Sequence, residues 1–137
     1  PQVLAVRAGH PLARSRRIGE LHGARWVITG PKKGPGDPAS MELERWGLEP
    51  ALVCMECNSF STLLAVLPQI DAIALMPRRF YETHGPRSGL VALPIEDPLP
   101  MTKIHAFVRT DAPLSLPAQR LLDAIEAQAL RMQRQPA

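Results

Sequence analysis

The chain has 137 residues and a formal net charge of +3, from 16 Lys+Arg against 13 Asp+Glu. That length suits one compact domain or two small lobes, and 45% hydrophobic with 21% charged residues excludes wholesale disorder. No apolar run approaches the ~20 residues of a membrane helix, which excludes a spanning protein and leaves no membrane partner to expect. Pro1-Gln2-Val3 opens no charged-then-apolar leader, and two cysteines are too few for a disulfide scaffold, so a reducing, cytoplasmic setting is expected. Apart from Arg14-Ser15-Arg16-Arg17, Lys32-Lys33 and Arg78-Arg79, the basic residues are scattered, as on a solvated surface rather than a nucleic-acid face.

Val3-Leu4-Ala5-Val6 is a short apolar run that fits a buried strand beginning almost at residue 1, as in a fragment whose earlier neighbours are missing. His10-Pro11 breaks it, because a residue before proline is pushed out of the helical region. Ile18-Gly19-Glu20-Leu21 reads as a short helical turn, and Arg25-Trp26-Val27-Ile28-Thr29 as a second strand, followed by a loop from Gly30 to Asp37. Asp37-Pro38 is a cap with proline at the first helical position, and the helix runs through Met41, Leu43, Glu44 and Trp46 to stop at Gly47.

Residues 51–57 form a third strand. Asn58 or Ser59 caps a helix whose Phe60, Leu63, Leu64, Val66 and Leu67 cover most of its circumference, as in an element buried all round. Pro68 and Asp71 end it. Residues 72–76 are a fourth buried strand, Pro77 opens a short helix, Gly85 to Gly89 turn, and residues 90–93 are a fifth strand. Pro98 and Pro100 remove two backbone donors within three residues, which marks 95–100 as a linker. Residues 103–108 read as a sixth strand, and Leu116-Pro117 starts an amphipathic helix with Leu121, Leu122, Ile125 and Leu130 on one face.

Short apolar strands alternating with helices indicate an α/β fold with a mainly parallel sheet. The breaks at His10-Pro11 and at Asp97 to Pro100 divide the chain into a complete α/β unit, residues 12–95, and two flanks, 1–11 and 97–137, that sit together in a second, partial lobe. Two crossings between two lobes is the geometry of a hinged ligand-binding domain, with His10, Pro11, Asp97 and Pro98 at the hinges.

Most chemical motifs fail on physical grounds. Gly34-Pro-Gly36-Asp-Pro-Ala39 matches G-x-G-x-x-A, with Glu56 20 residues after Gly36. Pro35 and Pro38 delete the backbone donors that a pyrophosphate cradle needs, and the strand-to-helix connection is too long for its tight turn. Cys54-Met-Glu-Cys57 spells C-x-x-C, but side chains three apart on a strand point to opposite faces and cannot share a metal or a disulfide. His10, His22, His84 and His105 have no ligand spacing, and Ser40, Ser59 and Ser61 lack the G-x-S-x-G elbow. No metal, cofactor or enzymatic centre is implied. Thr29-Gly30, Asn58-Ser59 and Met76-Pro77 each end a strand, and carboxyl ends of strands line the ligand crevice of an open α/β sheet. Donors near Asn58-Ser59 suit an anion such as a carboxylate, while simple helix capping is an equal reading of both residues. Asp37 fits capping better, because its own charge repels an anion.

Arg7-Ala-Gly-His-Pro-Leu-Ala13, Ile18-Gly-Glu-Leu21 and Arg25-Trp-Val-Ile28, followed by Ser59-Phe-Ser-Thr-Leu-Leu64, Ile73-Ala-Leu-Met-Pro77, Leu90-Val-Ala-Leu-Pro-Ile95 and Ile104-His-Ala-Phe-Val-Arg109, resemble in order and spacing the effector-binding domain of LysR-type transcriptional regulators. The resemblance covers nearly all of the chain. It implies a type II periplasmic-binding-protein-like fold, with one complete subdomain and part of a second. A small organic, commonly acidic, effector would bind between hinged lobes. The pocket residues carried over are Thr29, Gly30, Pro31, Gly36, Asn58, Ser59, Met76 and Pro77. It further implies a homodimer or tetramer that reads promoter DNA through a winged helix-turn-helix. That part and the first elements of the first subdomain are missing from this sequence, so the chain alone is not expected to bind an operator, and half of the pocket wall is expected to be absent. Pro68-Gln-Ile-Asp71 stands where the family often has a glycine-rich turn, which alters the helix end. A periplasmic-type solute-binding protein of the same lobed design, and a small nucleotide-dependent α/β enzyme, are the competing readings. An export signal on the full gene product would favour the first, and a co-purified nucleotide the second.

Overall fold

Alternation of apolar residues at period two puts a core on both faces of one sheet. In the computed structural model, which describes residues 1–30, 38–48, 52–101 and 105–134, five strands carry that alternation: β1 (Gln2–Arg7), β2 (Arg25–Thr29), β3 (Leu52–Cys57), β4 (Ile73–Pro77) and β5 (Leu90–Ala92). They pair in the order β3-β2-β4-β1-β5. Leu4 and Val6, Trp26 and Ile28, and Ile73 and Leu75 face one core cluster with Leu43 and the turn residues Ile18 and Leu21. Val3 and Ala5, Val27, and Ala74 and Met76 face the other, with Leu63 and Leu67. Strands covered on both sides read as continuous apolar runs, which is why β1 and β4 are legible in the sequence.

The covering elements follow local chemistry. Helix α1 (Pro38–Arg45) begins on a proline, whose missing N–H costs nothing at the first turn, and Gly47 at φ +68 leaves it. Helix α2 (Phe60–Val66) runs into a 3₁₀ turn at Leu67–Gln69, and α3 (Arg78–His84) follows β4 directly. Tyr81 of α3 accepts the Ala92 N–H on its hydroxyl at 2.9 Å, tying α3 to β5. The expectation that α2 is buried all round is corrected: Leu63 is fully buried and Phe60 is 39% exposed, so the helix packs by one face.

Two further expectations change. The sheet is mixed: β2 is parallel to both β3 and β4, whereas β1 is antiparallel to both β4 and β5. Because β1 lies between β4 and β5, residues 1–11 do not stand apart from 12–95 with the C-terminal flank. The chain instead divides into Pro1–Thr102 and Lys103–Ala137. An apolar run announces burial but not its pairing partner, and a proline after a strand need not mark a change of lobe.

The second unit, taken by itself, is dominated by α4 (Leu116–Arg134), with Ser115 Oγ accepting the Ala118 N–H at 3.4 Å as a cap. Leu121, Ile125 and Leu130 on its apolar side are more than half exposed. Of the strand expected at 103–108, residues 103 and 104 lie outside the described residues, and 105–108 form no strand. The aromatic and β-branched residues there favour a strand only where a neighbour supplies the ladder.

Candidate functional site

Parallel pairing of β2 and β3, in register at Thr29 and Cys57, ends both strands side by side. The Gly30 N–H donates to the Cys57 carbonyl at 2.9 Å, and Gly30 takes φ +85, a conformation that any other residue adopts only with strain. On the β3 side the chain continues through Asn58 and Ser59 into α2. Ser59 has the extended backbone of a cap (φ −143, ψ 128), and its Oγ accepts the Thr62 N–H at 3.5 Å. Thr29, Gly30, Asn58, Ser59 and Phe60 together line a cavity of about 250 Å³. That falls below the ~300–1,000 Å³ that encloses a whole organic ligand, so the cavity suits one end of one. Two hydroxyls and a carboxamide supply donors and acceptors, and none of the described lining side chains is charged.

Four of the eight candidate pocket residues, Thr29, Gly30, Asn58 and Ser59, therefore come together. Met76 does not join them: it is fully buried and packs in the second core cluster, so its side chain is core rather than pocket wall. Pro77 is exposed at the end of β4 and does not line this cavity. Pro31 and Gly36, with the rest of residues 31–37, lie outside the described residues. Phe60 was missed because helical periodicity assigns it to the core. Its place directly after a cap, at a strand's carboxyl end, is the signal that would have found it.

The hinge candidates sit differently from expectation. His10 is 7% exposed, its Nδ1 accepts the Leu12 N–H at 3.0 Å, and its own N–H donates to the Arg7 carbonyl at 3.2 Å. Burial, the largest cause, holds the imidazole below its usual 6.5; the nearby Arg7 adds to this and Asp71 opposes it. Arg7 and Asp71 pair at 2.6 Å. His10-Pro11 is thus a fixed turn inside the first unit, corrected from a crossing. Asp97 Oδ2 accepts the Ile18 N–H at 2.6 Å, Arg16 pairs with Glu96 at 2.7 Å, and the Glu96 N–H donates to the Arg16 carbonyl at 2.9 Å. Asp97 and Pro98 accordingly lie within the first unit, and the passage to the second comes after Thr102.

Cys54 is exposed and Cys57 buried. Among the described residues no three His, Cys, Asp or Glu side chains gather to hold a metal, and no helix is long and apolar enough to cross a membrane. A second cavity, of about 310 Å³, lies between α1 and the proline strap, lined by Glu42, Arg45, Trp46, Pro98, Leu99 and Pro100. It is away from the strand ends, where open α/β sheets bind ligands.

Residues 1–130 match the model of the LysR substrate binding domain. The fold is similar to that of the regulatory domain of CcmR from Synechocystis PCC6803 in complex with 2-PG, with TM-score 0.63, 19% identity and 93% of this chain covered. It is similar to a probable transcriptional regulator from Pseudomonas aeruginosa (TM-score 0.60, 21% identity, 72% of this chain covered). It is also similar to the C-terminal domain of a probable LysR family transcriptional regulator from Rhodococcus sp. RHA1 (TM-score 0.52, 23% identity, 73% of this chain covered). This chain spans 62%, 33% and 50% of those three chains, respectively.

Proposed function

The chain belongs to the LysR substrate binding domain family, and from that premise we propose that it is the effector-sensing part of a cytoplasmic LysR-type transcriptional regulator. It binds a small organic ligand, commonly acidic, and catalyses nothing. The observation that carries this is the convergence of Thr29, Gly30, Asn58 and Ser59 at the carboxyl ends of two adjacent parallel strands. The cavity holds one end of the effector. The 2-PG complex of a similar fold supports a ligand of small size.

Effector binding works by shifting populations. A ligand favours the closed arrangement of lobes only by the difference between its affinities for closed and open forms. A coupling of about 1–3 kcal/mol, or roughly 5–150-fold, is typical of allosteric proteins in general. The regulator contacts promoter DNA through a domain outside this sequence and acts as a homodimer or tetramer. Calorimetry on the full-length regulator with a panel of organic acids, paired with promoter footprinting, tests the proposal. One acid that binds and alters the footprint is expected. No heat from any acid together with an unchanged footprint would overturn it.

A further inference from the structure

We propose that the cavity between α1 and the proline strap is a second ligand site, one that takes a small organic cation. An alkyl ammonium or guanidinium would place its charge at Glu42 and its apolar body between Trp46 and the strap. This site is separate from the one at the ends of β2 and β3 and does not rest on it.

The cavity, of about 310 Å³, reaches the ~300 Å³ at which a pocket encloses a small organic molecule. Its apolar walls are fixed before any ligand arrives. The Trp46 ring centroid lies 6.5 Å from that of Trp26, a buried member of the first core cluster, and Leu99 packs against the same cluster. The strap wall follows directly on Glu96 and Asp97, which Arg16 and the Ile18 N–H hold in place. Pro98 and Pro100 bring no N–H to it, so this wall has two fewer donors that call for water. A preformed wall leaves little to order on binding.

Glu42 decides the chemical class. Its side chain is only 13% exposed, yet Arg45 Nη1 reaches just one oxygen, Oε1 at 2.9 Å, and among the described residues no donor reaches Oε2. An ionised carboxylate has about four acceptor positions, so a largely buried one with a single bond favours a further donor. Arg45 is a weak counter-ion, because its own side chain is 75% exposed and solvent screens such pairs. An entering cation takes the open oxygen or displaces the guanidinium into water. Indole attracts cations better than the other aromatic side chains, and more strongly where water is excluded. An under-bonded carboxylate and an indole lining one cavity are the elements of ammonium recognition.

The experiment titrates isotope-labelled chain with n-butylammonium, n-butanol and butyrate in separate arms, probes of similar length and different charge. NMR follows the Trp46 indole N–H and the Leu99 amide. Butylammonium is expected to shift both and to leave the Asn58 and Ser59 amides in place, with butanol about tenfold weaker and butyrate without effect. Glu42→Gln, nearly the same shape without the charge, should weaken butylammonium about tenfold and leave butanol unchanged. Trp46→Leu should weaken butylammonium more than butanol. Arg45→Gln removes the competing guanidinium and should strengthen butylammonium about twofold. Butanol or butyrate binding as tightly as butylammonium, unchanged affinity in Glu42→Gln, weaker binding in Arg45→Gln, or no shift from butylammonium would overturn the proposal. Shifts at Asn58 and Ser59 in place of Trp46 would overturn it by putting the cation at the strand ends. Trp46 signals that move with protein concentration alone would overturn it by giving the cavity to a second copy of the chain.

Discussion

Replacing Asp97 by Ala should cost the first unit about 1–2 kcal/mol, far more than its place in a proline-rich linker suggests. The Ile18 N–H opens a 3₁₀ turn, Ile18–Leu21, that has no side-chain cap from its own preceding residue. Asp97 supplies that cap from the far end of the unit, at 2.6 Å and with a half-buried carboxylate. A hydrogen bond to a charged group contributes about 1.5–3 kcal/mol, and loss of a cap costs about 0.5–2 kcal/mol, so a partly exposed site falls near the lower part of both ranges. The 3.4 Å contact with Arg17 adds little, because that guanidinium is 65% exposed and such pairs contribute roughly 0–1 kcal/mol. Thermal denaturation should register a fall of about 4–8 °C per kcal/mol for a unit of this size. Hydrogen exchange at the Ile18 amide should accelerate in step. Asp97→Asn keeps a carbonyl acceptor and should recover most of the loss, while Arg17→Ala should stay within about 0.5 kcal/mol of the unmodified protein. If Asp97→Ala and Arg17→Ala prove equally mild, the cap is not what fastens this segment.

Three other outcomes follow from the packing and electrostatics. Leu4→Ala, at a fully buried position on the penultimate strand of the sheet, should lose about 2–5 kcal/mol in urea denaturation. His10 is held below its ordinary 6.5, so the folded state prefers the neutral ring. The stability it confers is complete above that value and is lost as pH falls through it toward the folded pKa. Thermal midpoints measured from about pH 8 to about pH 5 should therefore decline, and less so for His10→Asn, whose carbonyl can still accept the Leu12 N–H. A thiol reagent should label Cys54 in the folded protein and reach Cys57 only on unfolding, since the first is exposed and the second buried.

The parts of this fold that the sequence makes legible are those set by local chemistry. The apolar runs at Val3–Val6 and Ile73–Met76, the proline start and glycine stop of α1, and the cap at Ser59 each carry their own signal within a few residues. What escapes is decided at long range. Nothing local in Val3–Val6 reveals that β1 pairs antiparallel with β4, some seventy residues on, so His10-Pro11 resembles a crossing when it is a turn. Asp97 is indistinguishable from a linker acid until Ile18 is seen beside it. Met76 shares its strand end with Pro77, yet alternation turns its side chain into the core, a distinction that a motif match overlooks. Phe60 errs the other way, apolar by type and a cavity wall by position.

The most direct test is a crystal structure of the full-length regulator bound to the acid that calorimetry selects. Ligand polar atoms within hydrogen-bond distance of Thr29, Asn58 and Ser59 are the expected result. Ligand seated instead between Trp46 and the Pro98–Pro100 strap, or anywhere away from the ends of β2 and β3, would contradict it.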